Sequence, residues 1–106
     1  MIARIWHGYT SKANAPIYEN LLKEEIFSII EKKNVKGYKG IHLLRRDLET
    51  EVEFTTIMWF ENIESVKQFA GDDYEIAYVP EMARKVLKRF DEKSIHCELR
   101  HNLQYD

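Results

Sequence analysis

Apolar residues recur along this chain at two spacings, every second residue and close to every 3.6 residues, and the switches between them mark its elements. Ile2 to Thr10 is rich in β-branched and aromatic residues and reads as a first strand. Ser11 to Asn14 is a polar loop. Asn14 is placed to cap a helix, with Pro16 in the first turn, where a missing N–H costs nothing. Ile17, Leu21, Leu22, Ile26, Ile29 and Ile30 then follow helical spacing to about Lys33, and Asn34 and Gly37 end the run. Gly40 to Asp47 and Glu51 to Glu61 read as second and third strands, joined by the short hairpin Leu48-Glu49-Thr50. Asn62 is a second N-cap, for a helix with Ile63, Val66, Phe69 and Ala70 on one side, and Gly71-Asp72-Asp73 closes it. Tyr74 to Val79 is a connector. Pro80 opens a further helix, with Glu81 in its first turn and Ala83, Val86, Leu87 and Phe90 as its apolar stripe. Ser94 to Arg100 is the fourth strand, and a polar tail follows.

The order β-α-β-β-α-β, with right-handed connections, predicts an α+β, ferredoxin-like βαββαβ fold. It consists of one domain over residues 1–106, with a four-stranded antiparallel sheet in the order 4-1-3-2 and helices on one face. A strand with one wet face alternates apolar and polar residues, and the two central strands do not. Strand 1 sets Ala3, Ile5 and Tyr9 on one parity and Ile2 and Trp6 on the other. Strand 3 sets Val52, Phe54, Met58 and Phe60 against Ile57 and Trp59. Helices cover only one of these faces. The other predicts a C2 homodimer whose two sheets close on each other as a barrel.

Composition adds exclusions. With 16 Lys and Arg against 18 Asp and Glu, the net charge of -2 lacks the basic excess of a nucleic-acid binder. No apolar run reaches the roughly 20 residues of a membrane helix, and the chain opens directly into a strand pattern, so no signal peptide is expected. These readings place the protein in the cytoplasm. The single cysteine, Cys97, forbids an internal disulfide, and its place in an alternating run predicts a small buried filler. The four histidines are scattered without metal-ligand spacing, and no phosphate-binding glycine loop is present.

Three stretches carry a family resemblance. They are Met1-Ile2-Ala3-Arg4-Ile5-Trp6-His7-Gly8, Leu43-Leu44-Arg45-Arg46-Asp47, and Trp59-Phe60-Glu61-Asn62-Ile63-Glu64-Ser65-Val66-Lys67-Gln68-Phe69-Ala70-Gly71-Asp72-Asp73 with Ala77 and Pro80-Glu81 beyond it. Together they resemble the antibiotic biosynthesis monooxygenase family of the dimeric α+β barrel superfamily. The resemblance implies a pocket between sheet and helices in each subunit, a dimer, and an oxidoreductase that uses neither cofactor nor metal on a phenol, quinol or anthrone. It also leaves open a non-catalytic homodimer of the same fold that binds a small apolar ligand or serves an accessory role, since one fold hosts many functions.

Cofactor-free oxygenation asks the protein for a base, a polar clamp on the substrate anion and an aromatic-lined pocket. His7 is the first candidate base: it shares parity with Ala3 and Ile5, the set assigned to the helix side, although alternation alone does not decide between the two parities. His42 and His96 fall on edge strands and are expected to face solvent. Tyr78 and Tyr74 lie in the connector that would roof the pocket, where a phenol could orient a substrate oxygen. Arg84 could stabilise an anion. Trp6, Trp59 and Phe69 are candidate pocket walls, with core or dimer contact as the simpler role. Haem chemistry would need an axial histidine, and Tyr74-Glu75-Ile76-Ala77-Tyr78-Val79 has none.

Overall fold

The computed structural model describes residues 1–105. Strand β1 (Ile2–Thr10) leads into a long helical segment of three parts: α1 (Ala15–Leu21), a π-helical turn over Leu22–Ile26, and α2 (Phe27–Lys32). The hairpin β2 (Tyr38–Asp47) and β3 (Val52–Phe60) follows, then α3 (Ile63–Ala70), the single turn α4 (Glu81–Arg84), β4 (Arg89–Phe90) and β5 (Ile95–Glu98). All pairings are antiparallel. The sheet runs β2-β3-β1, with β4 and β5 both on the free edge of β1, which is the expected order with the last strand in two pieces.

The π turn explains the long helix's buried positions, Tyr18, Leu22, Ile26 and Ile30. They step by four, and in a regular α-helix each such step drifts about 40° around the axis. One wider turn absorbs the drift and keeps all four on the sheet. The helix start differs from expectation. Asn14 stands at the N-cap position, but its side chain makes no capping bond. The chain is already in a helical turn there, and Ser11 Oγ accepts the Asn14 N–H at 3.0 Å. At α3 the cap forms as expected, with Asn62 Oδ1 accepting the Ser65 N–H at 3.0 Å. Just before β2, Gly37 takes φ +90°, and a side-chain carbon there would run into the Ser65 hydroxyl.

Two further expectations are corrected. The helix after Pro80 lasts one turn rather than reaching Phe90. The edge of β1 needs backbone partners, and they come from here: Lys88 N–H donates to Tyr9 O at 2.7 Å and Asp91 N–H to His7 O at 2.9 Å, drawing Arg89–Phe90 into the sheet. The fourth strand is then interrupted between Phe90 and Ile95, where the chain turns to the connector instead, with Ser94 N–H donating to Glu75 O and Ala77 N–H to Glu92 O.

The register assigns the faces. Arg4, Trp6, Gly8 and Thr10 of β1 and Val52, Phe54, Thr56, Met58 and Phe60 of β3 are buried beneath the helices. The other face carries Ala3, Ile5, His7 and Tyr9 beside Trp59, Ile57, Thr55 and Glu53. The parity assigned to His7 is therefore corrected: its set points away from the helices. Cys97 pairs with Ala3 on this uncovered face and is exposed, not buried. Tyr18 meets Phe54 edge-on, with centroids 5.2 Å apart, and Phe60 meets Phe69 at 5.7 Å, so helices and sheet share one aromatic core.

Candidate functional site

Between the helices and the sheet lies a cavity of about 50 Å³. Its floor is the helix side of β1 and β3, with Arg4, Trp6, Thr56 and Met58. The long helix contributes Tyr18, Leu22 and Ile26, and the π turn runs from the second of these to the third. Tyr78, Val79 and Pro80 of the connector form the roof. The wall is mostly apolar and aromatic, with a few polar groups, as small-molecule sites are.

Trp6 sets the shape of the floor. Its ring lies along its own strand over Gly8, where a side-chain carbon would stand 2.6 Å from Trp6 Cη2, and its indole N–H donates to Asp91 O at 2.8 Å. Glycine at position 8 is what lets the indole lie flat.

Arg4 is the principal polar group. It is 3% exposed, yet no carboxylate lies within ion-pair distance of it among the described residues. Its Nη1 donates to Tyr74 O and to His96 Nε2, the latter at 2.9 Å, and its Nη2 donates to Ile76 O at 3.1 Å. The guanidinium thus ties the roof connector and β5 to the central strand. Burial draws its pKa down to about 10, which leaves it cationic at neutral pH. Desolvation, and then the Arg4 charge, push the His96 pKa below its ordinary value, so its Nε2 is the acceptor in this pair. Tyr18 is almost fully buried, and desolvation raises its phenol well above the usual range, so it stays protonated.

The seven residues singled out in the sequence separate into two groups. Trp6, Phe69 and Tyr78 line the cavity together. His7, Tyr74, Trp59 and Arg84 do not. His7 lies on the opposite face, where Asp91 Oδ2 accepts both its backbone N–H at 3.0 Å and its Nδ1 at 2.8 Å. Trp59 is on that face too, donating to His42 Nδ1 at 3.0 Å. Tyr74 sends its carbonyl to Arg4, while its ring packs edge-on against His96 at 5.2 Å. Arg84 donates to Val79 O at 2.9 Å and covers the Phe90 ring, bracing the roof from outside. His96, expected in solvent, is half-buried beside Arg4. Arg4, Tyr18, Thr56 and Ser94 were missed as wall residues. The available signal was Arg4 itself, a lone charge in the apolar run Ile2-Ala3-Arg4-Ile5-Trp6. Among the described residues no group of three His, Cys, Asp or Glu side chains is arranged to hold a metal ion, and no helix is long and apolar enough to cross a membrane.

A four-stranded antiparallel sheet backed by helices on one face, with a cavity between the layers, defines the ferredoxin-like α+β class. Among solved structures of that fold is a Bacillus cereus protein described as a candidate antibiotic biosynthesis monooxygenase. It is similar to this chain over 99% of its length and 98% of that chain's, with a TM-score of 0.68 and 14% sequence identity. The likeness bears out the monooxygenase-like fold expected from the sequence. No family model matches the chain, and no curated protein matches it in sequence.

Proposed function

We propose that this protein is a small homodimeric monooxygenase of the cofactor-independent kind, holding a phenol-, quinol- or anthrone-like molecule in the cavity between helices and sheet. The observation that carries the reading is the pairing of an aromatic wall with one buried cation, Arg4. Such a site shields a planar ring from water and holds an anionic one in place, and holding the substrate anion out of water is a main demand of oxygenation without a cofactor. The shared fold supports the class.

A cavity of about 50 Å³ is tight for a ring, and on this reading the roof at Tyr78–Pro80 moves to admit substrate. The uncovered face supports the dimer: there Ile5, Ile57 and Trp59 share the sheet surface with Leu44 and Ile95, which are 51% and 55% exposed.

A second reading, a non-catalytic dimer that binds a small apolar ligand, is favoured by one feature: no imidazole or carboxylate lines the cavity among the described residues. Oxygen uptake with an anthrone and quinol panel decides between them. The oxygenase reading expects uptake above the protein-free rate, reduced at least about tenfold in Tyr78→Ala. Ring binding detected by ligand NMR without uptake from any panel member would establish the second reading instead.

A further inference from the structure

We infer that the molecule this cavity takes is an organic acid, a planar ring whose carboxylate docks on Arg4. This rests on the cavity being a small-molecule site and goes further by naming the charge and the group that binds there.

Arg4 has no counterion among the described residues. Taking a guanidinium out of water is costly unless an opposite charge or a full set of acceptors meets it. Arg4 has neutral acceptors only: two backbone carbonyls and the His96 imidazole. Acids are not scarce in this chain, which has 18 of them, and exposed arginines find them readily. Arg45 pairs with Asp47, Arg46 with Glu53 and Arg89 with Glu51. The most buried arginine is left without one.

A guanidinium offers five N–H groups, and the carbonyls and imidazole take both of Nη1 and one of Nη2. Nε and the remaining Nη2 hydrogen have no acceptor among the described residues. No sealed side-chain nitrogen or oxygen lacks a partner, so Nε stands open to water rather than closed off. Nε and Nη2 share one edge of the guanidinium plane, the edge that grips both oxygens of a carboxylate. Arg4 Cζ lies 5.6 Å from the Phe69 ring centre, and the neighbouring wall is Trp6, Met58 and Ile26, which suits a flat apolar body behind the acid group.

The test uses the intact protein and two probe pairs of matched shape, benzoate with benzamide and 2-naphthoate with 2-naphthamide. Titrations are followed at the Trp6 indole N–H in a proton–nitrogen spectrum. The acids are expected to bind at least about tenfold more tightly than their amides, since a bidentate charge-assisted pair replaces a neutral one. In Arg4→Gln that ratio falls to about one, while Arg4→Lys, which keeps the charge and loses the fork, lies between. Equal affinity of acid and amide in the wild type overturns the inference and leaves Arg4 a strut for the connector, with the cavity reading intact. If neither ring perturbs the Trp6 signal at millimolar concentration, the cavity reading falls as well. The wild-type comparison decides the matter even where Arg4→Gln does not fold.

Discussion

Replacing Gly8 by alanine tests whether the cavity floor depends on the flat-lying indole. The new methyl would stand 2.6 Å and 2.9 Å from two Trp6 ring carbons and 3.2 Å from Leu87 Cδ2. The indole has little freedom to yield, because its N–H is held by Asp91 O at 2.8 Å. Overpacking of this kind costs about 1–3 kcal/mol. Against it stands the roughly 0.5–1 kcal/mol by which alanine is favoured over glycine within a strand. Contacts as short as 2.6 Å fall in the upper part of that range, so the net expectation is a loss of about 1–2.5 kcal/mol, or a fall in Tm of roughly 4–15 °C for a chain of this size. Urea unfolding followed by far-UV circular dichroism measures it. A double-mutant cycle sharpens the test: in a Trp6→Leu background the Gly8→Ala penalty should fall below half, because only the Leu87 contact remains. A wild-type-like midpoint for Gly8→Ala, or an undiminished penalty in the Trp6→Leu background, would refute the account.

His96 makes stability depend on pH. Its folded pKa is lowered by burial and by the Arg4 charge, so protonation favours the unfolded chain. This contribution is complete above the unfolded value near 6.5 and is lost as pH falls through that value toward the folded one. The drop in urea midpoint between pH 7.5 and pH 5.5 should be smaller in His96→Asn than in the wild type, and equal drops would remove His96 from the effect. Placing a charge on the uncovered sheet face, as in Ile57→Lys, should convert a sedimenting dimer to a folded monomer. A wild-type chain that sediments as a monomer at micromolar concentration would disprove the sheet-to-sheet dimer.

Much of the frame could be read from the residues. The hairpin and the Asn62 cap rest on local signals, and the strand order follows from the element order and the handedness of its connections. The faces of β1 could not be read in the same way. Its buried set contains Arg4, Gly8 and Thr10, while the uncovered set contains Ile5 and Tyr9, so hydrophobicity points to the wrong side. That inversion misplaced His7 and concealed Arg4. Cys97 was misplaced because its register partner is Ala3, on the uncovered side. Val86, Leu87 and Phe90 fit a helical stripe as well as the path actually taken, and what decides is the hydrogen-bonding demand of the β1 edge, which no local window contains.

The widened turn at Leu22–Ile26 makes the helix depend on how tightly it is wound there. Tightening it to an ordinary spiral with every residue kept would swing Phe27–Lys32 by about 100°. Ile30 would leave the core, and Lys33, whose ammonium sits 4.4 Å and 4.7 Å from the Phe69 and Tyr78 ring centres, would no longer stand above the roof. One extra backbone unit thus sets the phase between the start of the helix and the part of it that overlooks the chamber.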